Sequence, residues 1–157
     1  PGARQRVVAT LSAALATSRE RATGFTRSLF AEDPWSAEQV VELINRQRNA
    51  TIASVNATGQ PHAAVVIAGS VRDGIYFTVH PSSVLARNLA ANPRIGLSVC
   101  DPRHAVMAQG RAEAVGLAAD LGPLIDELAA ASTAGRFTPD GWDGTIYTIA
   151  IARIFAS

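Results

Sequence analysis

Ala50 to Val99 reads ATIASVNATGQPHAAVVIAGSVRDGIYFTVHPSSVLARNLAANPRIGLSV. The pattern is strand, tight turn, strand, tight turn, strand, short helix, strand. Thr51–Val55 is a short apolar run with β-branched residues, which suits a half-buried pleated surface. Asn56–Gln60 carries turn chemistry, and Gly59 is free to take positive φ. His62–Ala68 is a second apolar run. Arg72-Asp73-Gly74 interrupts it, and Asp-Gly is a strong hairpin signal. Ile75–His80 is a third strand, rich in aromatic and β-branched residues. Pro81-Ser82-Ser83 opens a helix: Ser can cap, and Val84, Leu85, Asn88 and Leu89 follow at helical spacing. Asn92-Pro93 ends it, because the residue before proline leaves the helical region. Ile95–Val99 is the fourth strand.

Outward from this stretch the pattern continues. Pro1–Arg27 reads as one helix, with Val7, Leu11, Ala14 and Leu15 on one face. Arg4, Arg6, Arg19, Arg21 and Arg27 surround that face, so the segment is either a packing arm or a contact for an anionic partner. Ala31–Trp35 reads as a linker, dividing an N-terminal helical arm (residues 1–31) from the main domain (residues 32–157). Ser36 opens another helix with Gln39 three residues on, a capping-box pattern, and Val40, Val41, Leu43 and Ile44 supply its apolar face. Arg46 and Arg48 sit at its end, where they complement the helix dipole. After the fourth strand, Asp101-Pro102-Arg103 is a turn and His104–Val115 a long strand. Along it Val106, Ala108 and Gly110 point one way and Met107, Gln109 and Arg111 the other. Leu117–Ala131 reads as an amphipathic helix that Gly122-Pro123 splits or kinks. Ser132–Gly144 is a polar loop, and Thr145–Phe155 is the last strand. Six short strands joined by tight turns, with three or four helices, predict a mainly β fold: an antiparallel barrel with flanking helices.

Composition narrows the function classes. The chain has 157 residues, 48% of them hydrophobic and 17% charged, which suits one globular domain. A formal net charge of +1 argues against a dedicated nucleic-acid binder. The charge is uneven: five arginines and one acid precede Glu32, whereas nine arginines and twelve acids follow from there. Lys is absent, which excludes a Schiff-base or P-loop lysine. Cys100 is the single cysteine, so no intrachain disulfide forms and a cysteine-based zinc site is not expected. No apolar run approaches the roughly 20 residues that span a membrane. Val7–Ala16 lacks the clean apolar core of a signal peptide, so the expected compartment is the cytoplasm. His62, His80 and His104 read as polar residues at strand ends, with a metal trio or a haem ligand as the sharper alternative. Neither a Gly-x-Ser-x-Gly elbow nor a dinucleotide glycine fingerprint occurs. Trp142 either covers a ring system or plugs a barrel end, and Gln109 and Arg111 face either a second subunit or solvent.

The order of these motifs resembles the pyridoxamine 5′-phosphate oxidase-like family, the FMN- or F420-binding split β-barrels. Gly59-Gln60-Pro61 resembles its D-G-x-P hairpin and Tyr76-Phe77-Thr78 its Y-F-T strand. Ser83–Leu89 resembles its S-x-K-x-x-N-L helix start, with Asn92-Pro93-Arg94 and an apolar strand behind it. Gln109-Gly110-Arg111-Ala112-Glu113 resembles its E-G-x-A-E strand, and Arg153-Ile154-Phe155-Ala156 its last strand. The match runs from about Ser36 to the end. It implies a six-stranded antiparallel split barrel and a homodimer with two cofactor sites at the subunit interface. The cofactor phosphate would lie at the start of the helix after the third strand, where the N–H groups of Ser83, Val84 and Leu85 and the helix dipole favour an anion. The hydroxyls of Thr78, Ser82 and Ser83 add donors. The ring would lie along Val65–Ala68, touching Val66 and Ile67, and Arg87 and Asn88 complete the implied site.

Departures from the family pattern bear on activity. The phosphate-binding Lys falls on Leu85 and the Arg before it on Val84. Two further cations of the second strand fall on Ala64 and Gly69. A hydrogen bond to a charged group contributes about 1.5–3 kcal/mol, so these losses count against pyridoxamine phosphate oxidation itself. Arg87, one turn later, is the remaining cation near the expected phosphate. No side chain stands out as a general acid or base. The expected function is an FMN- or F420-dependent oxidoreductase passing hydride to or from a small organic substrate. The alternatives are a non-catalytic barrel that has lost flavin and holds another ligand, haem included, and a regulatory module built around the arginine-rich arm.

Overall fold

The computed structural model describes residues 2–30 and 34–157. Its helices are α1 (Ala3–Glu20), α2 (Gly24–Phe30), α3 (Ala37–Gln47), α4 (Val84–Ala91) and α5 (Gly122–Ala131). Its strands are β1 (Asn49–Val55), β2 (Pro61–Val71), β3 (Gly74–Val79), β4 (Arg94–Cys100), β5 (Ala105–Leu117) and β6 (Thr145–Ala156). The strands close into an antiparallel barrel in the order β1-β2-β3-β6-β5-β4, with β4 returning to β1. The expected six-stranded barrel with flanking helices is therefore the fold.

Alternation builds the barrel interior. On β1, Ala50, Ile52 and Ser54 turn inward while Asn49, Thr51 and Ala53 stay exposed. Every residue of β3 is buried, because the barrel covers one face and other elements cover the other. Ile52, Phe77, Leu97, Val106 and Ile154 belong to a core that α3 and α1 extend. A second core under α5 joins Tyr76, Leu124, Leu128, Phe137 and Ile146.

Capping chemistry sets the element ends. Ser36 accepts from the Gln39 N–H while the Gln39 side chain accepts from the Ser36 N–H, the capping box expected for α3. The β2–β3 hairpin forms where expected, but its two loop residues are Arg72 and Asp73, and the residue with positive φ is Arg72 rather than Gly74. Gly74 instead lies in β3, where an added Cβ would meet Thr148 Oγ1 at 3.1 Å. Its role is close approach to β6. The hairpin tip is tied down by Arg72 on Glu127 at 2.8 Å and by the Tyr76 hydroxyl donating to Asp73 at 2.9 Å. Burial, then the bond to Asp73, pushes the Tyr76 phenol up to about 12.

Three local expectations change. The single helix over Pro1–Arg27 is two helices: α1 ends at Glu20, and Thr23 Oγ1 accepts from the Thr26 N–H to open α2. Pro1 and residues 31–33 of the expected linker lie outside the described residues, and so does the boundary placed there. The helix expected from Leu117 begins at Gly122, because β5 runs on through Leu117 and a short 3-10 turn follows. Pro123 does not kink α5; it sits in the first turn, where its missing N–H has no helical partner to lose.

The arm packs on its own barrel. Val7, Leu11 and Leu15 are buried as the spacing predicts. Ser18, 2% exposed, accepts from the Ile154 N–H at 2.8 Å and donates to the Ala14 carbonyl at 2.7 Å. The bond to β6 occurs where the strand is irregular: Gln109 pairs with Arg153 and Gly110 with Ile151, so Ala152 is an extra residue. No helix among the described residues is long and apolar enough to cross a membrane. Ser18→Ala leaves the Ile154 N–H buried without its acceptor, so it should lower stability by about 1–3 kcal/mol. Urea unfolding of the two proteins checks this, and an unchanged midpoint would contradict the docking of α1 through Ser18.

Candidate functional site

The barrel wall is interrupted between β2 and β3. Their ladder covers only Ala68–Val71 against Gly74–Phe77. From Pro61 to Ile67, β2 pairs with β1 alone, while Thr78 and Val79 pair with β6. One weak link crosses the gap, the Thr78 hydroxyl donating to the Ile67 carbonyl at 3.4 Å. One side of β2 is thereby left as an open edge, and a strand edge presents unpaired N–H and C=O groups. Val65 is 72% exposed there. Ala64 and Val66 pack against the main core and Ile67 against the second.

The chain leaving β3 closes the far side of this split. Ser83 Oγ accepts from the Ala86 N–H at 3.0 Å and donates to the His80 carbonyl at 2.7 Å. The Ser82 N–H donates to His80 Nδ1 at 3.2 Å. Both roles of the Ser83 hydroxyl are thus spent on capping α4. What remains for a ligand is the N–H groups of Val84 and Leu85, which no helical carbonyl reaches, and the exposed Ser82 hydroxyl.

The residues expected at the site divide accordingly. Ile67 and Thr78 meet across the split, Val66 packs partly buried against the main core, and Ser82, Ser83 and Leu85 follow β3 at the start of α4. The Leu85 side chain is buried in the core, so only its N–H is on offer. Arg87 is exposed and meets no acid among the described residues. Asn88 turns inward: it is 3% exposed and its amide donates to Ser54 Oγ at 3.0 Å, holding α4 on β1.

The missing cations have a steric reason at one position. A Cβ on Gly69 would lie 2.8 Å from Leu128 Cδ2 and 3.3 Å from Phe137. Helix α5 packs against the strand there, and no long side chain fits between. Trp142, half-buried, packs on the same second core.

His62 lies near the start of β2, at the strand end its sequence position suggested. It stands within β2 opposite Ser54, half-buried, and its Nδ1 is buried with no hydrogen-bond partner among the described residues. Its pairing with the buried Ser54 puts His62 on the same face. His80 caps the turn before α4, with its Nε2 3.8 Å from Asp143. His104 is bound to Asp101 at 3.1 Å and tilts on Trp35 at 4.7 Å. Bonds from the Arg103 and His104 side of this turn hold the Asp101 carboxyl well below the usual carboxylate range. Among the described residues no group of three His, Cys, Asp or Glu could hold a metal ion.

Comparison with known proteins agrees with this architecture. The family model described as pyridoxamine 5′-phosphate oxidase matches residues 36–154. No functionally curated protein matches the sequence. Among solved structures, the chain is similar to Atu2129, a protein of unknown function from Agrobacterium tumefaciens str. C58, at 19% identity and a TM-score of 0.61. That match covers 80% of this chain and 57% of the other, so the chain spans little more than half of that relative. It is similar to an F420 reductase at 20% identity and a TM-score of 0.56, over 71% of this chain and 92% of the other. It is also similar to HutZ, the haem storage protein of Vibrio cholerae, at 14% identity and a TM-score of 0.55, over 75% and 92%. At these identities the likeness is one of fold.

The two serines before α4 separate by role. Ser83→Ala removes the cap and should cost about 1 kcal/mol of stability, whereas Ser82→Ala should leave the denaturant midpoint nearly unchanged. Equal losses in the two variants would contradict the assignment of capping to Ser83.

Proposed function

The chain belongs to the pyridoxamine 5′-phosphate oxidase family, and from that premise we propose that it is an oxidoreductase using FMN or the deazaflavin F420 on a small organic substrate. The observation that carries this reading is the open edge of β2 from Pro61 to Ile67, together with the free N–H groups of Val84 and Leu85 at the start of α4. A planar heterocycle needs hydrogen bonds along its edge and apolar contact on its face. The free side of β2 offers backbone donors and acceptors, and Val66 and Ile67 offer the contact.

The residues present fit a phosphate through neutral donors: the two N–H groups, the Ser82 hydroxyl and the positive end of the α4 dipole. Hydrogen bonds to the ionised phosphate are charge-assisted even from neutral donors, but no side-chain cation joins them, so this reading carries a modest affinity. Bound here, FMN or F420 would supply hydride transfer. The chain itself binds, orients and excludes water. Pyridoxamine phosphate oxidation is not part of the proposal, because Ala64, Gly69, Val84 and Leu85 stand where the resemblance places that enzyme's phosphate-binding cations. The exposed Val65 edge favours a covering surface, and we read that surface as a second copy of the chain, with the site at the interface of a homodimer.

A second reading is a non-catalytic barrel that holds haem. The unpartnered buried Nδ1 of His62 favours it, and HutZ has this fold.

Titration of the purified protein with FMN, F420 and haem, followed by absorbance, separates the two. The first reading expects FMN or F420 to bind, and Ser82→Asp, which places a negative charge at the helix start, to weaken that binding by about tenfold or more. It expects His62→Ala to leave flavin binding in place. A Soret shift that His62→Ala abolishes, with no response to FMN or F420 up to about 1 mM, where binding is worth only ~4 kcal/mol, would overturn it in favour of haem.

A further inference from the structure

The face of the barrel formed by β4, β5 and β6 carries arginines that nothing in the proposed function uses. Arg94 on β4 and Arg111 on β5 are register partners. Directly opposed residues of an antiparallel pair share a face, with Cβ atoms about 4.5–5.5 Å apart, and like charges so placed are destabilising. Both side chains are exposed, and neither guanidinium meets an acid among the described residues. One row along, Gln109 lies between Gly96 on β4 and Arg153 on β6, and Arg153 also lacks an acidic partner.

The ground between these side chains is low. A groove of about 600 Å³ is lined by Arg94, Arg111 and Gln109, with Ala53, Gly96 and Ala152 as small neighbours. Gly96 approaches only the Ala53 methyl, at 3.7 Å from an added Cβ, and Ala152 is the extra residue that β6 inserts there. Small residues let an anion approach the sheet, and two guanidinium forks flank it. Arginine presents its donors in a planar fork that matches phosphate oxygens two at a time.

We infer that this groove binds the phosphate of a phosphorylated small molecule between Arg94 and Arg111, with the Gln109 amide as a further donor. In the ring of strands β1-β2-β3-β6-β5-β4, the β4–β5 seam is the one opposite the β2–β3 seam. The groove nevertheless reaches Pro61 at the start of the open β2 edge and shares the outer sheet face that carries Val65, so the phosphate would sit beside the surface proposed for the second subunit. An anion between the two arginines lowers their mutual repulsion and binds the folded state alone, so binding stabilises the fold by mass action. The groove is too small for a nucleic-acid duplex to be its fitting occupant, and the net charge of +1 gives no wider basic field to hold one.

The test uses inorganic pyrophosphate as the probe, with thermal unfolding and calorimetric titration at fixed ionic strength. The proteins are the full chain, Arg94→Gln, Arg111→Gln, the double variant, and Arg103→Gln as an exposed arginine outside the groove. The expected result is a rise in the unfolding temperature of the parent on adding pyrophosphate. Each single groove variant should weaken binding by about tenfold, and the double variant should abolish it. Without the anion the single variants should be at least as stable as the parent, which shows that they fold. Arg103→Gln should behave as the parent, and the double variant should keep its response to FMN or F420. Undiminished pyrophosphate binding in the double variant would overturn the proposal. So would equal stabilisation by chloride at matched ionic strength, or a response to an oligonucleotide without one to pyrophosphate.

Discussion

The ladder between β2 and β3 stops after four residue pairs, and the rest of the molecule follows from that interruption. β2 is 11 residues long, yet it shares only its last four with β3. Its first seven pair with β1 alone. The barrel still closes because β3 passes its end to β6 and β4 returns to β1. The result is a wall with one open edge, held by the weak Thr78–Ile67 bond. An edge left unpaired in a folded protein is a liability unless something covers it. In this account a flat cofactor and a second copy of the chain do so.

The same region explains why a phosphate bound as proposed would be left to neutral donors. Leu128 of α5 sits where a side chain on Gly69 would have to go. Leu85 is committed to the core, and Ser83 to capping α4. Asn88 is spent on Ser54. Each of these choices stabilises the helix-to-barrel contact and withdraws a group from the ligand. What is left is backbone geometry, the Ser82 hydroxyl and the helix dipole.

Much of the fold could be read from local chemistry. Asn56–Gln60, Ser36 with Gln39, and Ser83 each fix a turn or a cap by their own hydrogen bonds, so they hold whatever the tertiary context. The elements that shifted depend on contacts far along the chain. The break between α1 and α2 rests on Thr23 and Thr26, two weak helix formers whose capping competes with an otherwise helical pattern. β5 outran its expected end because Leu117 pairs with Thr145 on β6. Gly74 signalled a turn residue, but its smallness serves the approach of β6, where Thr148 Oγ1 would lie 3.1 Å from an added Cβ. For the site, the line of β2 and the start of α4 were legible from their order. The inward turn of Asn88 was not, because it depends on Ser54, whose burial shows only once β1 is paired.

The central claim is that the open edge of β2 and the first turn of α4 bind one ligand together. Amide-resolved NMR on the labelled protein, with FMN or F420 added, tests it most directly. The account predicts shifts at Val65–Ala68 and at Ser82–Leu85 that saturate together with one affinity. Shifts at only one of the two segments, or none at either while another face responds, would contradict it.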